Sequence, residues 1–251
     1  MFVSSKRQYL PSRAAWIGMA LSLSSLFASP LLVLRAQNPN TQNPSTQNPN
    51  AGAPAATQTF SSGDVELQYS RVFIFVGKRG AGHEHAIEGR LQKGKLLVNQ
   101  PSEREGQMGE LVFDMSSFDA DTDVARKYIG LEGSIDESTR KAVNENMLGK
   151  GVLDVNRFPQ ATFVATKIVA TGNKSKRGLP EIKVIGNFTL HGETRPVEFL
   201  ADGESANGWI RVRGSFSILQ TDYGIKPFTK LLGAVGVTDK LDIYGDLFIA
   251  P

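Results

Sequence analysis

The chain of 251 residues contains no cysteine. A disulfide framework, a thiolate metal site, a nucleophilic cysteine and a lipid-modified cysteine are therefore excluded. Histidine is scarce, with three residues in the chain, and no Gly-x-Ser-x-Gly elbow occurs. The signals for catalysis are weak, and we predict a protein that is not an enzyme and whose stability comes from its apolar core alone.

The N-terminal segment has the arrangement of a secretory signal. Lys6, Arg7 and Arg13 precede a mostly apolar run, Ala14 to Leu34, and no acidic residue is present. We predict a signal peptide over residues 1–36, export to the periplasm or the exterior, and no stable membrane insertion after cleavage. An uncleaved anchor is the alternative, because about 20 apolar residues can span a bilayer.

Removing this segment changes the charge of the protein. It holds four of the 28 Lys and Arg residues and no Asp or Glu, which leaves 24 basic and 25 acidic residues and a net charge of −1. A strongly basic surface is typical of nucleic-acid binding and is absent here. We therefore expect no nucleic-acid partner.

A polar repeat follows the predicted signal. Residues 37–50 read QNPNT, QNPST and QNPN, without a charged or apolar residue. Such a segment cannot bury enough surface to offset the entropy of ordering. We predict a disordered Gln/Asn/Pro-rich linker over residues 37–61 and a single folded domain over residues 62–251.

The predicted domain is rich in strand signals and poor in helix signals. Short apolar and alternating runs recur between Gly- and Asn-rich links, which favours antiparallel pairing. Lys93-Gly94 is interpreted as a two-residue turn. One helix is predicted over residues 134–148, with Ser134 and Glu137 as a capping box and Gly149 as its stop.

A single helix cannot cover both faces of a large sheet, so the sheet has to close on itself or split into a sandwich. We predict an all-β fold, a closed antiparallel up-and-down barrel of about eight strands with the helix inserted.

Four predicted strands place a glycine between two apolar residues of the same face. Glycine weakens a strand interior, so its repeated use indicates sharp coiling or the close approach of a ligand or a backbone. The opposite face carries polar residues such as Arg211 and Asp246, which we predict to face water. The predicted lumen, with gaps at its glycines, is lined by Ile87, Gly89, Leu91, Val184, Gly186, Phe188, Val197, Phe199, Val212, Gly214, Phe216, Ile218, Ile243, Gly245 and Leu247.

A small apolar barrel either is filled by its own side chains or holds one small ligand. The glycines favour a ligand, because Phe or Leu at those positions would occupy the space. We expect an apolar, elongated ligand in the lumen. A filled barrel that acts through protein contacts is the alternative, and association of two chains into a homodimer stays open.

Three stretches of the sequence are similar to landmarks of the YceI-like family. They are RFPQATF at 157–163, GNFTLHGETRPV at 186–197 and TDYGI at 221–225, and the LHGETRPV part is the most specific. The turn with His83 and His85 resembles a subgroup that carries His-x-His. The resemblance implies an exported, lipocalin-like barrel that binds a polyisoprenoid, a quinone-like molecule or another lipid.

With cysteine absent, the three histidines are the candidate metal ligands of the sequence. His83 and His85 point the same way on an extended chain, and His191 at the same barrel end would complete a zinc or copper site. Histidines in turns more often satisfy backbone groups or face solvent, so no metal and no cofactor is favoured. A metal-binding protein or metal-dependent enzyme of the cell envelope is the alternative function.

An acidic cluster resembles part of a calcium loop. Asp119, Asp121 and Asp123 have the spacing, but Val124 and Gly130 stand where such a loop needs Gly and Glu. We interpret the cluster as a solvated loop.

Overall fold

The computed structural model describes residues 59–98 and 106–251. The predicted signal peptide and nearly all of the predicted linker lie outside these residues. Contacts group Ala56–Pro251 into one compact unit. This unit contains every strand of a closed sheet and a continuous apolar core, so it has the attributes of a domain that folds alone.

Eight long strands form a closed antiparallel ring. Each strand pairs with the next along the chain, and the first pairs with the last, which closes the sheet. This confirms the predicted up-and-down barrel. The strands are β1 (Arg71–Gly80), β2 (His85–Leu96), β3 (Gly109–Ala120), β4 (Gln160–Lys174), β5 (Pro180–Leu190), β6 (Glu193–Ala206), β7 (Trp209–Leu219) and β9 (Val235–Ile249), with the short β8 (Thr229–Lys230) paired to β9.

The connection between β3 and β4 contains two helices where the sequence predicted one. Helix α1 is Asp123–Ile129 and helix α2 is Glu137–Leu148. The predicted start at Ser134 is wrong, because Asp136 is the cap and accepts a hydrogen bond from the Thr139 backbone N–H. Helix α1 was missed because two turns carry little periodicity. No helix in the described ranges is both long and apolar enough to cross a membrane.

The predicted turn at Lys93-Gly94 is also wrong. Strand β2 continues through these residues and pairs with β3, with register shifts between Glu88 and Arg90 and between Leu91 and Lys93. Gly94 has a packing reason instead. A Cβ atom there would lie 2.7 Å from the Val65 side chain, so the glycine makes room for Val65, whose backbone N–H donates to the Gly94 carbonyl.

The two ends of the barrel differ. At the helical end lie the β1–β2 hairpin, the helical connection, the β5–β6 turn and residues 220–234. At the opposite end Val65 bridges to Ile249, and both are buried in the core together with Leu96 and Met108. The opposite end is therefore plugged by apolar side chains, whereas helix α2, none of whose residues is fully buried, covers the helical end.

Candidate functional site

The lumen contains an apolar cavity of about 220 Å³. Its wall comes from all eight long strands, and Val143 and Met147 of α2 and Leu153 cover it at the helical end. Ten of the fifteen residues predicted to face the lumen line this cavity, namely Ile87, Val184, Phe188, Phe199, Val212, Gly214, Phe216, Ile243, Gly245 and Leu247.

The other five predicted residues lie elsewhere in the interior. Leu91 and Ile218 are buried members of the core, and Val197 packs against it half-buried. Gly89 and Gly186 are buried beneath aromatic rings. These five positions face inward as the alternation of the strands requires, but they are not part of the cavity wall.

The expectation that the glycines leave gaps is wrong at three of the four positions. A Cβ atom would lie 2.6 Å from the Phe118 ring at Gly89, 2.7 Å from the Phe163 ring at Gly186 and 3.0 Å from the Phe199 ring at Gly214. A glycine there lets an aromatic ring from another strand approach the backbone closely. Gly245 is the exception, since a Cβ there would meet nothing within 4 Å.

The prediction missed the part of the wall made by the first, third and fourth strands. Val72, Ile74 and Val76 of β1 line the cavity, and so do Leu111, Phe113, Met115, Ala161, Phe163 and Ile168. These strands lack an apolar-Gly-apolar motif. Their alternation of buried residues, Leu111-x-Phe113-x-Met115 for example, was the signal that could have found them.

Polar side chains border the cavity at the helical end. They are His85 at the start of β2, Asn146 of α2 and Gln220 directly after β7. The Gln220 side chain donates to the Thr238 carbonyl at 2.8 Å, and the Asn146 side chain donates to the Ala142 carbonyl at 2.6 Å. The cavity therefore has an apolar body and a polar end.

The His85 ring is held by a buried carboxylate. Asp121, whose side chain is 0% exposed, lies 2.6 Å from His85 Nδ1 and also accepts from the Ala86 backbone N–H at 3.2 Å and from Arg126 at 2.9 Å. An ionised carboxylate only accepts hydrogen bonds, so Nδ1 of His85 donates to Asp121, and Nε2 is the ring nitrogen that does not face the carboxylate.

Opposing effects act on the Asp121 carboxyl. Burial alone raises its pKa, because the charged form loses hydration. The hydrogen bonds from His85, Ala86 and Arg126, together with the charge interaction with His85, outweigh burial and hold the pKa of Asp121 below its ordinary value of 3.8. Asp121 is therefore ionised near neutral pH and fixes the His85 ring.

The interpretation of the acidic cluster as a solvated loop is wrong for two of its three residues. Asp121 is buried as described, and Asp119 binds Arg140 and Asn144 of α2, the latter at 2.6 Å. Asp123 is exposed in the first turn of α1. The cluster thus anchors the helical connection to the end of β3.

Asp246, also predicted to face water, is 6% exposed and is held by Arg211 at 2.6 Å.

The three histidines do not form a common site. His83 is exposed, His85 is committed to Asp121, and the His191 ring packs on Phe158 with 4.1 Å between ring centroids. Within residues 59–98 and 106–251 no three His, Asp or Glu side chains are grouped so that they could hold a metal ion.

The three stretches that resemble the YceI-like family meet at the helical end. Phe158 of the first packs on His191 of the second, which has a left-handed φ of 53°. Arg195 donates to the Asp222 carbonyl of the third at 3.1 Å. Tyr223 is 1% exposed and lies edge-on to Phe188. The stretches therefore build one packing unit beside the cavity.

Comparison with known proteins gives relatives of two kinds. A UPF0312 protein of Pseudomonas putida (strain W619) is 39% identical over 97 residues, 36% of this chain and 45% of that protein. The match thus spans less than half the length of this curated relative. Among solved structures, Burkholderia cenocepacia BcnA has a TM-score of 0.48 and 19% identity over 74% of this chain and 100% of that chain.

A polyisoprenoid binding domain from Saccharophagus degradans also has a TM-score of 0.48, with 11% identity over 76% of this chain and 100% of that chain. The sequence profile of the YceI-like domain matches residues 61–247, a range that runs from before β1 almost to the end of β9. The match covers most of the chain and the whole wall of the cavity, and the protein belongs to the YceI-like family.

Proposed function

We propose that this protein is an exported binding protein, not an enzyme, that holds an apolar, elongated ligand in the lumen of its barrel. The ligand class is a polyisoprenoid, a quinone-like molecule or another lipid. The observation that carries the proposal is the cavity of about 220 Å³ with an almost wholly apolar wall. A cavity of roughly 150 Å³ with such a wall stays dry and takes up benzene.

The cost of leaving this cavity empty supports a ligand. Voids in cores destabilise by about 24 cal/mol per Å³, so 220 Å³ corresponds to about 5 kcal/mol. That is comparable with the whole stability of many domains. Larger side chains at cavity positions would remove the cost, and Gly245 shows that the wall still has unused room.

The polar end of the cavity limits the kind of lipid. Nδ1 of His85 is bound to Asp121, which leaves Nε2 as the ring nitrogen that a ligand can bind. A hydroxyl group both donates and accepts, so a ligand that ends in one can form a hydrogen bond with this nitrogen while its chain lies along the apolar wall. We therefore favour an amphiphile such as a prenol over a hydrocarbon without a polar group.

Family membership agrees with this proposal, since the resemblance to YceI-like proteins carries the expectation of a lipid ligand. Export rests on the basic and apolar pattern of residues 1–36, which lie outside the described residues. The alternative, a histidine-based metal protein, has less support because His85 is committed to Asp121 and His191 to Phe158.

Solvent extraction of the purified protein, followed by mass spectrometry, tests the proposal. We expect about one molecule of an isoprenoid or similar amphiphile per barrel, and elemental analysis of the same sample should show no metal at that ratio. A sample free of lipid that also fails to take up an added prenol would overturn it, and a stoichiometric metal would favour the alternative.

A further inference from the structure

Residues 226–234, called here the leucine loop, present two adjacent leucines to solvent at the helical end. Leu231 is 75% exposed and Leu232 is 110% exposed, the two highest values among the exposed large apolar residues of the described chain. Both have left-handed backbones, with φ of 51° and 56°. This conformation is disfavoured for a residue with a branched side chain, so packing within the barrel does not explain the pair.

The neighbourhood of the leucine loop is basic. Lys226 and Lys230 lie in the loop, and Lys78 and Arg79 lie on β1, whose end pairs with residues 235–237. All four side chains are exposed. Neither residues 224–238 nor residues 76–83 contain an Asp or a Glu. The barrel therefore carries an apolar tip with four basic residues beside it, and the acidic Glu84 and Glu132 share a groove with Lys78.

The leucine loop is joined to the cavity wall. Phe228, within the loop, lines the cavity, and its carbonyl accepts from the Val237 backbone N–H at 3.0 Å. The loop is also fixed to the β1–β2 hairpin, because the Ala81 backbone N–H donates to the Ala234 carbonyl at 3.1 Å. The tip is thus held beside the cavity by backbone bonds.

We propose that the leucine loop docks the barrel on an anionic lipid bilayer. Leu231 and Leu232 enter the boundary between headgroups and acyl chains, and the four basic residues contact lipid phosphates. Docking in this way places Phe228, part of the cavity wall, at the lipid surface. The proposal concerns the outside of the barrel and stands whether or not the lumen holds a lipid.

Vesicle sedimentation with the 56–251 domain tests this docking, with phosphatidylcholine vesicles that contain or lack phosphatidylglycerol. We expect binding to the anionic vesicles alone, which high salt weakens. The double variant Leu231→Ser/Leu232→Ser and the double variant Lys226→Gln/Lys230→Gln should each lower the partition coefficient by about an order of magnitude.

Matched controls lie away from the loop. Leu200 is 50% exposed on β6, and Lys174 and Lys176 are exposed at the opposite end of the barrel. Leu200→Ser and Lys174→Gln/Lys176→Gln should bind vesicles as the wild type does. Failure of the wild type to sediment would overturn the proposal, and so would an equal loss of binding in the controls. A dimer that the leucine variant abolishes, without vesicle binding, would assign the tip to a second copy.

The lack of cysteine allows a second readout that is independent of affinity. A single environment-sensitive fluorophore on Leu232→Cys should shift to the blue when anionic vesicles are added, whereas the same label on Lys176→Cys should not. A label at position 232 that stays in water on bound vesicles would contradict docking through the leucine loop.

Discussion

Gly214 and Gly245 face each other across the β7–β9 pair, yet the space above them differs. A Cβ on Gly214 would lie 2.9 Å from the Ala201 Cβ and 3.0 Å from the Phe199 ring, whereas a Cβ on Gly245 would meet nothing within 4 Å. Phe199 in turn stacks on Phe216 at 5.1 Å. Both glycines line the cavity, but Gly214 makes room for the Phe199 ring whereas Gly245 borders open space.

Gly245→Leu should block the cavity with little loss of stability. The added side chain enters open space next to Ile243 and Leu247 and replaces part of the void. We expect the affinity for an added prenol to fall at least tenfold in a lipid-binding assay. The free energy of unfolding should stay within about 1 kcal/mol of the wild type. Ser215→Leu, on the exposed face of β7, is the control and should bind as the wild type does.

Gly214→Leu, in contrast, is expected to destabilise the fold. Its side chain has to displace the Phe199 ring, and overpacking of this kind costs about 1 to 3 kcal/mol. Urea denaturation should show this loss. If Gly214→Leu were as stable as the wild type, or Gly245→Leu bound prenol normally, the assignment of the two glycines would be wrong.

His85→Phe should remove the preference for a ligand with a hydroxyl group. Phe keeps an aromatic ring at the polar end but lacks the ring nitrogen Nε2, and one hydrogen bond contributes about 1 kcal/mol. The wild type should bind a prenol about fivefold or more tightly than the hydrocarbon of the same chain length, and the variant should bind both alike. An unchanged preference in His85→Phe would show that the headgroup lies elsewhere.

Asp121→Asn should change both stability and its dependence on pH. The substitution leaves buried Arg126 without its carboxylate partner, which costs about 3 kcal/mol near neutral pH. The pKa of Asp121 is lower in the folded protein than in the unfolded chain, so the unfolded chain takes up the proton first as the pH falls. The stability that ionised Asp121 contributes to the wild type is therefore lost below about pH 4, as the pH falls through the folded pKa.

Urea denaturation of the wild type and of Asp121→Asn between neutral pH and pH 3 measures this effect. The difference between the two proteins should shrink as the pH is lowered through the acid range. Asp123→Asn, at an exposed neighbour on α1, is the control and should show no such trend. A difference that is constant across the whole range would contradict the role of Asp121.

Removal of bound lipid should lower thermal stability. A ligand present at about 100 times its Kd adds about 2.7 kcal/mol, and in a domain of this size each kcal/mol moves the Tm by about 2 to 4 °C. Delipidated protein should therefore melt about 5 to 10 °C lower, measured by calorimetry. Readdition of prenol should restore the Tm of the wild type but not that of Gly245→Leu.

The sequence predicted the barrel because alternation and turns act locally, strand by strand. It could not predict which glycines were covered, since the rings over Gly89 and Gly186 come from Phe118 and Phe163 on other strands. The burial of Asp121 was equally hidden. Its partners His85 and Arg126 come from β2 and α1. The spacing of the three aspartates in the sequence does not distinguish a buried, paired carboxylate from one in a solvated loop.

The ring is completed by a pairing between its first and last strands, such as Arg71 with Asp246. A chain that emerges from its N-terminal side therefore remains an open sheet with two unpaired edges until β9 arrives. Before that moment there is no enclosed lumen at all. A ligand can be enclosed only once the final strand is paired, and a defect confined to β9 would open the barrel along its whole length.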